Sequence, residues 1–154
     1  MTTVDEAIAT STGRSLAVLQ YSKTLKALVD SAKQPGFSVD SWDPLAQLIA
    51  TDEFVRIGPF KEEMDWAQYT EFLTGWAKSS QWDCSVKRIT EAANVVFLEL
   101  EEHSEVGDFH TDVNTASVYE FTADNKIRHI AVYLQMQLPD PSMLPSFEPD
   151  SDSQ

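Results

Sequence analysis

Cysteine is nearly missing. Cys84 stands alone, so the chain has no internal disulfide and no zinc centre built on several thiolates. Beside Trp82 it reads as a small hydrophobe rather than a nucleophile. Long apolar runs are missing as well, and no stretch approaches the roughly 20 residues that cross a bilayer as a helix. Residues 1–14 lack a basic start followed by an apolar core, so no leader is visible and a cytoplasmic location is expected. Five glycines leave little scope for a loop that cradles phosphate, and no nucleotide signature occurs. Positive charge is scarce: 11 Lys and Arg face 25 Asp and Glu, a net charge of −14. A nucleic acid or an anionic membrane needs clustered cations, so neither is expected as a partner, and the charge is assigned to solubility.

The 154 residues fit one domain with one core, and 42% hydrophobic against 23% charged residues is an ordinary globular balance. Residues 1–14 are polar and rich in Thr and Ser and read as a loose tail. Residues 139–154 hold four of the seven prolines and end acidic and Ser-rich. They read as an extended tail from which Met143, Leu144 and Phe147 can tuck back. The domain is therefore expected over residues 15–138.

Three helices are predicted. In residues 15–32, Val18, Tyr21, Leu25 and Leu28 recur at the spacing of one helical stripe, and Pro35-Gly36 ends the helix. Residues 42–50 follow, with Asp43 and Pro44 suited to a first turn. After a short strand over 54–57, closed by Gly58-Pro59, residues 64–78 place Trp66, Tyr69, Leu73 and Trp76 on one face. Strands are then predicted over 84–89, 94–103, 110–122 and 127–137, which are rich in Val, Ile, Phe and Tyr. Thr90 to Ala93 and Ala123 to Lys126 form turns between them. Hairpin-linked strands with helices on one face make an α+β domain.

This order, with the strings WDPLAQLIATDEFVRIGPF (42–60) and DNKIRHIAVYLQ (124–135), resembles the nuclear transport factor 2-like superfamily. That group includes ketosteroid isomerase, scytalone dehydratase, limonene epoxide hydrolase and the SnoaL-like cyclases. The resemblance covers about residues 15–138. It implies a cone-shaped, curved antiparallel sheet closed by three helices around an apolar pocket. It implies proton-transfer chemistry on an apolar, cyclic or aromatic small molecule, usually without a cofactor and usually in a homodimer joined through the sheet's outer face. Other relatives only bind ligands or serve as accessory subunits. Position by position, the isomerase's base aligns with Ile57, its neutral acid with Ser117, and the last-strand carboxylate of hydrolases and cyclases with Val132. None of these can be a general base as the carboxylates are. Tyr21 aligns with the isomerase's tyrosine donor. An enzyme of this kind has therefore moved its acid and base.

Candidates for that role come from the strands. Glu99, Glu101 and His103 share one face by the period of two, and His110, Asp112 and Asn114 share one on the next strand. A turn near residues 104–109 sets the two groups opposite each other. A carboxylate beside an imidazole is an acid–base pair. The same pattern is what a wet outer face looks like, and Ser117 has the opposite parity to His110, Asp112 and Asn114. A bulge near Gly107 would reverse the faces. A different register matches Glu99 to a catalytic histidine position of scytalone dehydratase. The catalytic candidates are thus Tyr21, Glu99, His110 and Asp112. His103, His110 and Asp112 are a faint metal option, and no metal or other cofactor is expected. Arg56 is read either as a surface ion pair or as a clamp on a substrate oxygen. Tyr69 and Tyr119 can present hydroxyls to a pocket, with Tyr69 on the stripe that faces the sheet. Trp66 is read as core or pocket wall, and Ile57, Ser117 and Val132 as lining. His129 is expected to be partly exposed.

Overall fold

A computed structural model describes residues 2–137 and Ser142. The tail side chains Met143, Leu144 and Phe147 lie outside the described residues. The first 14 residues are not a loose tail. Thr2 bridges to Val86, and Thr3 caps a helix, α1 (Val4–Ala9), its hydroxyl accepting from the Glu6 amide at 3.1 Å. A short helix gains little from propensity alone. This one is held because Ala7 is buried while Val4 and Ile8 pack against the core.

Gly13, at φ +60°, turns the chain into α2 (Gly13–Ser31). The predicted second helix is shorter than expected. A 3₁₀ turn (Val39–Trp42) leads into α3 (Asp43–Ala46), with Pro44 in its first turn. Leu48, Ile49 and Ala50 then leave the helix to bond with Ile127. Strand β1 (Val55–Ile57) pairs with a two-residue strand, β2 (Glu63–Met64), that the sequence pattern did not reveal. Helix α4 (Trp66–Ser79) starts at a reciprocal cap between Asp65 and Gln68.

Four long strands complete the sheet: β3 (Gln81–Ala92), β4 (Val95–Val106), β5 (Phe109–Phe121) and β6 (Ile127–Met136). The order across the sheet is β2-β1-β6-β5-β4-β3. The sheet is mixed rather than wholly antiparallel, because β1 lies parallel to β6. The β3–β4 turn is Ala93-Asn94, later than expected, and Ala93 takes φ 54°. Gly107, at φ +60°, sits in the turn between β4 and β5.

Register decides which residues can meet. The β4–β5 ladder runs unbroken from Val95↔Glu120 to Val106↔Phe109. The bulge that could have swapped the faces is therefore absent from this hairpin. Register shifts fall instead at Val86/Arg88 in β3 and at Glu120/Phe121 between β5 and β6. Val96, Leu98, Leu100, Tyr119, Phe121 and Ile130 point to the core, where Val18, Leu19, Tyr21, Tyr69 and Leu73 of the helices meet them. No helix among the described residues is long and apolar enough to cross a membrane.

Candidate functional site

Between α2, α4 and the inner face of the sheet a cavity of about 100 Å³ remains. Tyr21, Ser22 and Leu25 reach it from α2, Tyr69 from α4 and Arg56 from β1. Trp82, Leu100, Glu102, Ser117, Tyr119, Ile130 and Val132 line it from β3 to β6. It is smaller than the roughly 300–1,000 Å³ of pockets for drug-sized ligands, so it has room only for a compact molecule.

The tyrosines arise from the helical stripes. Tyr21 and Tyr69 are almost fully buried, and their hydroxyl oxygens lie 3.0 Å apart. One proton bridges that pair, which leaves the other free to donate into the cavity. Burial holds the Tyr21 hydroxyl well above its ordinary pKa; Tyr69 and Tyr119 add to this, and Arg56 works weakly against it. Tyr119 is raised too, mainly by burial. Tyr21 and Tyr119 therefore stay protonated at neutral pH, as donors must. Their rings meet edge to face at 5.6 Å.

Opposite parity on β4 delivers a carboxylate that was not among the sequence candidates. Glu102 follows Val96, Leu98 and Leu100 in the inward series. Its Oε1 accepts from the Trp82 indole N–H at 2.7 Å, and its Oε2 accepts from the Thr115 hydroxyl. Both donors sit on neighbouring strands, so the carboxylate is fixed by the sheet rather than by its own flexible stem. The signal was present in the sequence: an alternating apolar run that ends in one acid. Glu102 also helps to push the neighbouring Cys84 thiol up to about 12, behind burial as the larger cause. That thiol is no nucleophile at neutral pH.

Of the expected lining residues, Arg56, Tyr69, Ser117, Tyr119 and Val132 border the cavity, as does Tyr21. Ile57 does not. In β1 it is Arg56 that aligns with inward Ile130, while Ile57 sits beside Ala131 on the other face. Trp66 lies behind the wall, packing on Phe54 and Tyr69 at ring distances of 5.4 and 6.1 Å.

Glu99, His110 and Asp112 lie outside. They sit on the outer face with Glu101 and His103, where the unbroken β4–β5 register keeps them. Glu99 pairs with Arg88, and His103 pairs with Asp112. His110 Nε2 lies 3.2 Å from Asp112. His110 and Asp112 are more than half exposed. Among the described residues no three His, Cys, Asp or Glu side chains are placed to hold a metal ion. His103 and His110 also border an open hollow of about 380 Å³ at the sheet edge with Lys26, Asp30 and Lys33. Lys26 pairs there with Asp30 at 3.0 Å and Lys33 donates to the Val29 carbonyl, and water screens these exposed charges.

The scaffold that frames this cavity has structural counterparts. No family model matches the sequence, and no curated protein matches it by sequence alone. Solved structures do match in shape. SalBIII, an epoxide hydrolase/cyclase-like enzyme with a role in pyran ring formation in the polyether salinomycin, superposes with a TM-score of 0.62. It is 14% identical, over 80% of this chain and 91% of that one. An NTF2-like protein of unknown function from Exiguobacterium gives 0.58 at 13% identity, over 75% and 98%. An LEH-like epoxide hydrolase from M. tuberculosis gives 0.54 at 13%, over 75% and 83%.

Proposed function

We propose that this chain, whose fold is that of the nuclear transport factor 2-like proteins, is a cofactor-independent acid–base enzyme acting on a compact cyclic molecule. The observation that carries this reading is one fixed carboxylate and one buried hydroxyl pair lining the same cavity. Glu102 takes a proton from a carbon next to a carbonyl or comparable group. The unshared proton of the Tyr21–Tyr69 pair hydrogen-bonds the oxygen on which negative charge develops. Apolar walls from Leu25, Leu100, Ile130 and Val132 limit water, so the hydrogen bond is stronger than it would be in solution. The proton then returns to a different atom or is lost with a leaving group. Isomerisation, dehydration and ring closure or opening share that first step.

The test is hydrogen–deuterium exchange at the α-carbon of small cyclic ketones, cyclopentanone and 2-cyclohexenone, followed by NMR in D₂O. Catalysed exchange in the wild type that disappears in Glu102→Gln supports the reading. Exchange that is equal in both defeats it.

The second reading is a non-catalytic binding or accessory subunit. It is favoured by Ser117 and Val132, which line the cavity where the superfamily's enzymes carry acids or an amide. Tight ligand binding with no exchange of any probe would select it.

The protein is also proposed to be a homodimer through the sheet's outer face. There Phe97, Val118 and Ala131 form one row beside Ala116 and Tyr133, and Phe97 and Tyr133 are 43% and 64% exposed. Sedimentation equilibrium is expected to give twice the chain mass, and Phe97→Asp is expected to halve it.

A further inference from the structure

We propose that the ligand of this cavity carries a carboxylate, bound by Arg56. The inference rests on the reading of the cavity as a ligand site and adds the chemical class of its occupant.

Arg56 and Glu102 are the only charged side chains among the residues that line the cavity. Their circumstances differ. Glu102 has a donor on each oxygen. Arg56 forms neither a hydrogen bond nor an ion pair among the described residues; its guanidinium lies over the Tyr69 ring, 5.0 Å from the centroid. A ring face attracts a cation but accepts none of its N–H groups in their plane. Five donors on a half-buried cation are thus left for water or a ligand. Guanidinium matches a planar carboxylate through two parallel hydrogen bonds, and stacking on Tyr69 fixes the plane in which that fork opens.

The position of the two charges narrows the class further. Arg56 enters from β1 and Glu102 from β4, with β6 and β5 between them in the sheet. A carboxylate at the Arg56 end leaves the reacting carbon to extend past the Tyr21–Tyr69 pair toward Glu102. A phosphate dianion fits less well, because the cavity offers one cation, one opposing carboxylate and about 100 Å³. The favoured occupant is a compact monoanion with its carbonyl or ring between the acid group and the site of proton removal.

The experiment compares carboxylates with their neutral amides: propionate, cyclopropanecarboxylate and benzoate against the three matching amides. Calorimetry or ligand-observed NMR gives the affinities. In the wild type at least one acid is expected to bind about tenfold or more tightly than its amide, as a charge-assisted pair allows. Arg56→Gln is expected to erase that preference while keeping amide affinity. Arg56→Lys is expected to keep part of it. Glu102→Gln is expected to keep or widen it, since it removes the opposing charge. The proposal is overturned if no acid outbinds its amide in the wild type, or if the preference survives in Arg56→Gln. Should Arg56→Gln not fold, Arg56→Met is measured in its place, and an acid preference that survives there overturns the proposal. Ketone exchange is measured separately. Failure of Glu102 as a base and failure of Arg56 as an anion site therefore give different results.

Discussion

The two faces of β4 hold carboxylates that mean different things. On the outer face Glu99, Glu101 and Glu105 stand near Arg88, His103 and His110, and each meets a partner of opposite sign or a titrating ring. On the inner face Glu102 stands alone after Val96, Leu98 and Leu100, and its partners are an indole and a hydroxyl. Charges that cluster under water neutralise one another and cost little. One carboxylate in an apolar row must be held by fixed donors to persist. Ionisable residues thus crowd on the solvent side of β4, and a single carboxylate stands on its cavity side.

Exchanging carboxylate for amide on each face breaks this contrast most directly. Glu102→Gln is expected to lower catalysed ketone exchange by about 10²–10⁴-fold, the usual worth of a general base. Asp112→Asn and His110→Asn on the outer face are expected to leave it within about twofold, since neither touches the cavity. The reverse pattern would move the site to the outer face. Tyr21→Phe comes next. Losing one oxyanion donor costs about 10²-fold or more in rate. It also removes the 3.0 Å bond to Tyr69, which is worth about 1 kcal/mol of stability in thermal unfolding. A large loss of stability with unchanged rate would make the tyrosine pair a packing device only.

A third comparison stays on the inner parity. Cys84 neighbours Glu102 in the ladder, and its thiol is pushed up to about 12. Labelling by a disulfide reagent at pH 7 is expected to be at least about tenfold slower in the folded protein than in the unfolded chain. Fast labelling would mean that the β3–β4 edge opens and that Glu102 is wetter than its two donors imply.

Much of the fold was legible because periodicity reports burial. The stripe with Tyr21 and the stripe with Tyr69 both meet the sheet, and the four long strands lie where β-branched and aromatic residues alternate. What escaped has physical reasons. The α1 helix is held by tertiary contacts that no local pattern announces. The parallel β1–β6 pairing joins segments about 70 residues apart and depends on the whole topology. The site was half legible. Six expected residues line the cavity: helix and strand phase were right for Tyr21, Tyr69, Ser117, Tyr119 and Val132, whereas Arg56 reads from the sequence either as a surface ion pair or as a clamp. Ile57 was one residue out of phase, and a one-residue error in a strand exchanges its faces. Glu102 escaped for the same reason that makes it informative: it sits beside Glu101 and His103, and its parity identifies it only once β4 is anchored at Leu98↔Ser117.

The smallest effect belongs to the outer pair. The hydrogen bond from His103 to Asp112 raises the imidazole pKa and lowers the carboxyl pKa. Asp112 therefore favours the folded state above the ordinary carboxyl value of 3.8, and that contribution fades as pH falls through its lowered folded value. His103 favours it below the ordinary imidazole value of 6.5, and that contribution fades as pH rises through its raised folded value. Both act fully only between those two ordinary values. Because the pair is exposed, salt should screen most of it. In Asp112→Asn, an NMR titration is expected to show the His103 pKa falling toward its ordinary value, with little change in melting temperature and none in the pH profile of ketone exchange. A shifted exchange profile would mean that the outer charges reach the cavity through the one-strand thickness of the sheet, and the separation of the two faces would fail.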